Sequence, residues 1–183
     1  MLILNEAISG KKIMSVHSGG SIATISEPVI DPKNLKIVAF SISSKGLKYF
    51  SVVHSSDIRE WSPLGAIINS EDEIIEVDEN MPKIRSVVED GFDLVGIKVR
   101  TESGKRLGKV KNFVFETDGY FVVKLYIEKT GLLAILNPVL LVERDSVVDV
   151  TKKYLVVKDA AIKLKQAQKK KLKQNVEYGF SNY

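Results

Sequence analysis

The chain has 183 residues, 44% of them hydrophobic, with 27 basic and 23 acidic side chains, two histidines and no cysteine. That is enough apolar material for one ordinary domain or two small ones, and it excludes disulfides, thiolate metal sites and cysteine nucleophiles. Residues 1–80 carry 7 basic and 11 acidic groups, residues 81–158 carry 14 and 10, and residues 159–183 carry 6 and 2, so the net charge of +4 equals what the last segment contributes.

The opening "MLILNE" has no basic stretch and no long apolar run, so it does not read as a signal peptide. From there the chain is a series of short runs rich in Val, Ile, Phe and Tyr, separated by Gly, Pro, Asn and Asp, the pattern of strands joined by tight turns. Gly19, in "SGGSIATISEPVID" (18–31), predicts a turn into a strand, and "DPKNL" (31–35) predicts the next turn. The stretch "SEDEIIEVDENMPKIRSVVEDGFD" (70–93) is charged, contains Pro82, and reads as a short closing strand at 74–77 followed by a linker over 81–93. "GFDLVGIK" (91–98) has a lysine one residue late for a phosphate loop and no hydroxyl after it, so Gly91 and Gly96 read as turn and strand-start residues. In "SGKRLGKVKNFVFE" (103–116), Ser103-Gly104 predicts a primed hairpin turn, and Gly108 a bulge or a close approach of two backbones. "TDGY" (117–120) makes the following turn.

The same phrase is written twice. At an offset of 85, Gly19 falls on Gly104, Ile22 on Leu107, Ile25 on Val110, Val29 on Val114 and Asp31 on Glu116; "LKIVAFSI" (35–42) then lies over "YFVVKLYI" (120–127) and Gly46 over Gly131. A slip of three residues puts Asp57 on Asp145, and one more puts 66–69 on 155–158. Preserved order and even spacing predict a duplication, with its insertions in loops.

The second copy, "LVGIKVRTESGKRLGKVKNFVFETDGYFVVKLYIE" (94–128) with the later "NPVLLVERDSVVDVTKKYLVV" (137–157), resembles the PRC-barrel domains. These are the small β-barrels shared by the photosynthetic reaction-centre H subunit and the C-terminal half of the bacterial ribosome-maturation factor. The first copy resembles them more weakly, with Ala23 where the second glycine would stand, and the maturation factor's distinct N-terminal domain is not evident. The expected architecture is all-β: a PRC-type barrel over 1–80, a linker, a second barrel over 94–158, and a basic C-terminal helix and tail over 159–183.

Chemistry-bearing patterns are sparse. His17 and His54 have no regularly spaced carboxylates beside them, no serine sits in a nucleophile elbow, and "EDEIIEVDE" (71–79) lacks the glycine and ligand order of a calcium loop, reading instead as a charged edge strand. The expectation is a non-enzyme with no metal, no cofactor and no small-molecule substrate. Asp159 stands where it would cap a helix, and Lys163, Lys165, Lys169, Lys170, Lys171 and Lys173 behind it form a dense cationic block above a thin apolar stripe. That block is a solvated helix, an RNA contact or an anionic-membrane contact. The run 130–142 is the longest apolar one and too short to span a bilayer; it predicts buried strands or, at Leu132, Leu133 and Ile135, a protein-docking loop. The leading expectation is a cytoplasmic adaptor that binds a protein or ribonucleoprotein partner. A peripheral membrane-surface module is the alternative, and an enzyme of unknown type the third.

Overall fold

The computed structural model of the chain describes residues 1–44, 50–77, 91–130 and 138–160. The tail lysines and the expected C-terminal helix, together with Leu132, Leu133, Ile135, Gly46 and Gly131, lie outside them. The described residues are almost entirely strands and turns. In chain order the strands are β1 (Leu2–Leu4), β2 (Lys12–Ser15), β3 (Gly20–Asp31), β4 (Lys36–Ser43), β5 (Ser51–His54), β6 (Glu60–Ser62), β7 (Gly65–Ile68) and β8 (Ile74–Glu76), followed by β9 (Lys98–Thr101), β10 (Arg106–Glu116), β11 (Val122–Lys129), β12 (Val139–Glu143), β13 (Val147–Val150) and β14 (Tyr154–Val157).

They form two seven-stranded sheets with one plan. The first runs β6-β7-β2-β3-β4-β5-β8 and the second β13-β14-β9-β10-β11-β12, with β1 added alongside β10. In each, one pair of neighbours is parallel, β2 with β7 and β9 with β14, and all other neighbours are antiparallel. A 3₁₀ turn joins β5 to β6 at Ser55–Asp57 and β12 to β13 at Arg144–Ser146. The register refines the sequence alignment. Gly10 and Gly96, both with positive φ, donate their N–H groups to Ile25 and Val110, an offset of 86. A loop one residue longer in the first hairpin reduces this to 85 along β3 and β4. From β5 onward the offset is 89, since Phe40 pairs with Val53 as Leu125 pairs with Val142. Asp57 therefore stands opposite Ser146 and not Asp145.

The hairpin at 101–106 also departs from the expected primed turn. Thr101 and Lys105 close it (N···O 2.9 Å), the Gly104 N–H returns to the Thr101 carbonyl at 2.9 Å, and Gly104 alone takes positive φ (84°). This is a three-residue loop with its glycine in the left-handed position, which needs no left-handed conformation at Ser103. Gly108, at φ 148°, serves both expected purposes: the register slips between it and Arg106, and a Cβ there would overlap the backbone carbonyl of Glu128 on β11.

Alternation, rephased by register irregularities at Val29–Ile30 and Val110–Asn112, sends Ile13, Ile25, Ile37, Phe40, Val53 and Ile68 of the first sheet and Val99, Val110, Phe113, Leu125, Val142 and Leu155 of the second into a single buried cluster. At its centre the fully buried rings of Phe40 and Phe115 lie 6.1 Å apart, bracketed by Trp61 and Tyr120, and the indole N–H of Trp61 donates to the Tyr120 hydroxyl at 3.1 Å. The sheets also touch backbone to backbone. Lys36 bridges Phe121, with Ile37 N–H donating to the Tyr120 carbonyl (2.8 Å) and Val122 N–H to the Leu35 carbonyl (3.0 Å). Those positions are equivalent at the offset of 85, so the contact is reciprocal. Leu35 (φ 57°) and Tyr120 (φ 62°) are the only described non-glycine residues with positive φ. Each accepts that unfavourable backbone at the end of its turn because its side chain is buried. Finally, β1 crosses from the first half to pair with β10, Leu2 opposite Glu116 and Leu4 opposite Val114, so the sequence boundary at residue 80 does not separate the strands of the two sheets.

Candidate anion-binding face

The inner faces of both sheets are used by the shared core, and on the first sheet Val29, Ala39 and Val52 form a second buried cluster, which leaves the outer face of the second sheet as the surface to consider for a partner. On the second sheet the outward positions are read by burial along the strands: Lys98 and Arg100 alternate with buried Val99 and Thr101 on β9, and exposed Arg106 and Lys109 flank buried Leu107 and Gly108 on β10. The bulge at Gly108 is what puts Lys109 on the same face as Arg106, because an extra residue restores the phase that strict alternation would break. Register then places Arg106 across from Arg100 and Lys109 across from Lys98, with Tyr154 of β14 beside Lys98. Neighbours across strands are about 4.8 Å apart and outward residues along a strand about 6.6 Å apart, so four cations occupy the corners of a small four-sided patch, longer along the strands than across them.

A cleft of about 370 Å³ is lined by these cations, Tyr154 and the side-chain-free backbone of Gly104 and Gly108. The Arg100 guanidinium carbon sits 4.7 Å over the Tyr154 ring, a cation–π contact that restricts the side chain while leaving N–H groups to donate. Among the described residues no carboxylate pairs with any of the four. The nearest acids in register are Glu128, across from Lys109 but ion-paired to Lys111 at 3.6 Å, and Asp149 on β13. The mutual repulsion is therefore uncompensated within the described fold.

From the sequence, anion affinity is expected in the lysine tail, and "GKRLGK" (104–109), which holds Arg106 and Lys109, reads as a solvated hairpin tip in preference to a phosphate cradle. That expectation sums charge over segments, and the segment 1–158 sums to zero. The signal was present in the alternation of "KVR" with "RLGK".

The other expected residues are located as follows. Gly19 (φ 68°) and Gly104 are turn residues at equivalent points of the two hairpins. His54 caps the 3₁₀ turn after β5, its Nδ1 accepting the Ser56 N–H at 3.2 Å. His17 lies 3.4 Å from Glu71, whose carboxyl is held down at about 2, first by a hydrogen bond from Ser18 and then by its own backbone N–H. Among the described residues no three of His, Asp and Glu come together as a metal site would require, and no helix is long and apolar enough to cross a membrane. Asp159 accepts a hydrogen bond from the Ser103 hydroxyl at 2.7 Å, tying the end of the second sheet to its hairpin loop.

The carboxylate of Glu116 positions the turn that carries Tyr120 and Phe121 to the other sheet. It accepts N–H groups from Asp118 (2.8 Å), Gly119 (2.9 Å) and Phe121 (3.3 Å). Burial raises its pKa, but the three backbone donors outweigh that and hold it below the ordinary value of 4.5. Its partner by symmetry, Asp31, caps the other turn through Lys33 N–H at 2.9 Å.

A sheet curled around its own apolar face, with a polar and charged exterior, is the frame of a small binding barrel. Residues 87–164 match the family model of the PRC-barrel domain. The matched span contains the whole cationic face. No curated protein matches the chain.

Proposed function

We propose that the protein is a non-catalytic adaptor built from two PRC-type barrels, which docks a protein or ribonucleoprotein partner. The PRC-barrel half is a binding-type module. The reading of residues 1–77 as a diverged second copy is supported by the common strand order and by the paired left-handed residues Leu35 and Tyr120. The observation that carries the functional reading is the outer face of β9, β10 and β14, where Lys98, Arg100, Arg106 and Lys109 have no carboxylate partner among the described residues. Unpaired like charges held side by side are unfavourable in isolation and become favourable against an anionic surface.

Capture of the full-length protein from native lysate, with and without nuclease and beside a sedimentation assay with anionic vesicles, tests the reading. A partner retained in stoichiometric amount and released by charge-reversing variants of the face supports an adaptor, and sensitivity to nuclease makes it a ribonucleoprotein adaptor. Vesicle binding with no macromolecular partner would replace it by a membrane-surface role. No partner and no vesicle binding would leave the proposal without support.

A further inference from the structure

We propose that the Lys98–Arg100–Arg106–Lys109 face binds the phosphodiester backbone of single-stranded nucleic acid, an inference that rests on the adaptor reading and names the chemistry its face recognises. Three features of the cleft favour this ligand. The step of about 6.6 Å between outward residues along a strand is close to the separation of successive phosphates in an extended single strand, so neighbouring phosphates can each meet a cation. The Arg100 guanidinium carbon lies 4.7 Å over the Tyr154 ring, a cation–π contact that restricts the side chain before binding, and its fork can take a phosphate oxygen pair, while the ring and guanidinium together offer surfaces on which a base can stack. Gly104 and Gly108 line the cleft without side chains, which lets a backbone approach between the cations.

The same features argue against the other polyanions. The exposed large apolar residues of the described chain are Met1, Leu2, Val16, Phe50, Leu64, Phe121 and Val148, and none of them lines the cleft, so an apolar anchor for a bilayer is missing from it. A grid only two residues deep and two strands wide is also shorter than the span between strands of a duplex, whereas a flexible single strand can fold its phosphates onto it.

The test is equilibrium binding of a fluorescent twelve-nucleotide oligouridylate to the full chain between about 50 and 200 mM salt, compared with a Lys98→Ala/Lys109→Ala double variant, Arg100→Ala, Tyr154→Ala and a control, Lys33→Ala, in an exposed turn of the other half. Circular dichroism checks that each variant keeps the wild-type fold; all these side chains except the half-buried Tyr154 are exposed. Each phosphate contact to a single strand contributes about 0.7 to the slope of log affinity against log salt, so the double variant should flatten the slope by about 1.4. Arg100→Ala should flatten it by about half as much, Tyr154→Ala should weaken binding with a smaller change of slope, and Lys33→Ala should match the wild type. An oligodeoxythymidylate arm asks whether the 2′-hydroxyl is read, and equal affinity for both supports backbone recognition. Unchanged binding by the face variants would place the affinity on another surface, the lysine tail included, and overturn the inference. Vesicle binding without oligonucleotide binding, or no binding of either, would overturn it too. Nuclease-resistant partner capture that survives in the double variant would sink the inference and leave the adaptor reading standing on a different surface; loss of both would sink both.

Discussion

Truncation of Phe115 in the second sheet should destabilise the first sheet as much as its own. Its ring is fully buried and meets Phe40 at 6.1 Å and Trp61 at 6.2 Å, both from the other half. Removing a buried phenylalanine side chain costs about 3–5 kcal/mol, and with a urea dependence of about 2 kcal/mol per molar for a domain of this kind, Phe115→Ala should lower the unfolding midpoint by about 1.5–2.5 M. The chain carries a single tryptophan, Trp61, placed in the first half and against the second, so its fluorescence reports the first half while far-UV circular dichroism reports both. The two probes should trace one coincident transition in the wild type and shift together in Phe115→Ala. If Phe115→Ala unfolds outright, Phe115→Leu gives the same comparison with a smaller shift. Two separated transitions, or a fluorescence curve unmoved while dichroism shifts, would refute the idea of one shared core.

Four further expectations concern the turns and the tail. Gly104→Val should cost more than about 1 kcal/mol, because a β-branched residue is strained at φ 84°; an unchanged denaturation midpoint would contradict that turn. Gly108→Ala should be more damaging than Gly104→Ala, since only the former drives a methyl into the Glu128 carbonyl, and equal midpoints would show that β10 and β11 can separate without loss. Glu116 has a lowered pKa in the fold, so its contribution to stability is fully present above the ordinary carboxylate value and is lost as pH falls through the folded one. The stability gap between wild type and Glu116→Gln should therefore be widest near neutrality and narrow below about pH 4.5, and a gap independent of pH would rule out the carboxylate as the cap. If the tail adds sequence-tolerant anion affinity, Lys169→Ala/Lys170→Ala/Lys171→Ala in the full chain should flatten the salt slope by about 2, whereas an unchanged slope would make it a solvated segment.

Much of the fold was legible because it is local. Turn glycines at 19, 104 and 108 and period-two apolar runs are written in neighbouring residues, and they point to the strands and the hairpins. What the sequence hid depends on contacts between distant segments. Leu35 and Tyr120 look like ordinary strand-start residues, yet each adopts a left-handed backbone because its buried side chain and the Lys36–Phe121 bridge hold it there. Nothing in "LIL" says that β1 will leave its own half for β10. The cationic face was half-legible: Lys98 and Arg100 alternate plainly, but Arg106 and Lys109 are three apart and share a face only through the irregularity at Gly108.

The reciprocal bridge at Lys36 and Phe121 has the form of a contact between two like molecules, each giving the same carbonyl and receiving on the same amide. A contact of that kind closes on itself: once one pair has formed, neither member keeps the matching groups to recruit a third. Having both members in one polypeptide makes their meeting independent of concentration, and it frees the two halves to diverge in every residue that does not touch the seam. One side carries Ala23 and a net acidic charge while the other carries Gly108 and a basic exterior, a difference that two identical subunits could not adopt.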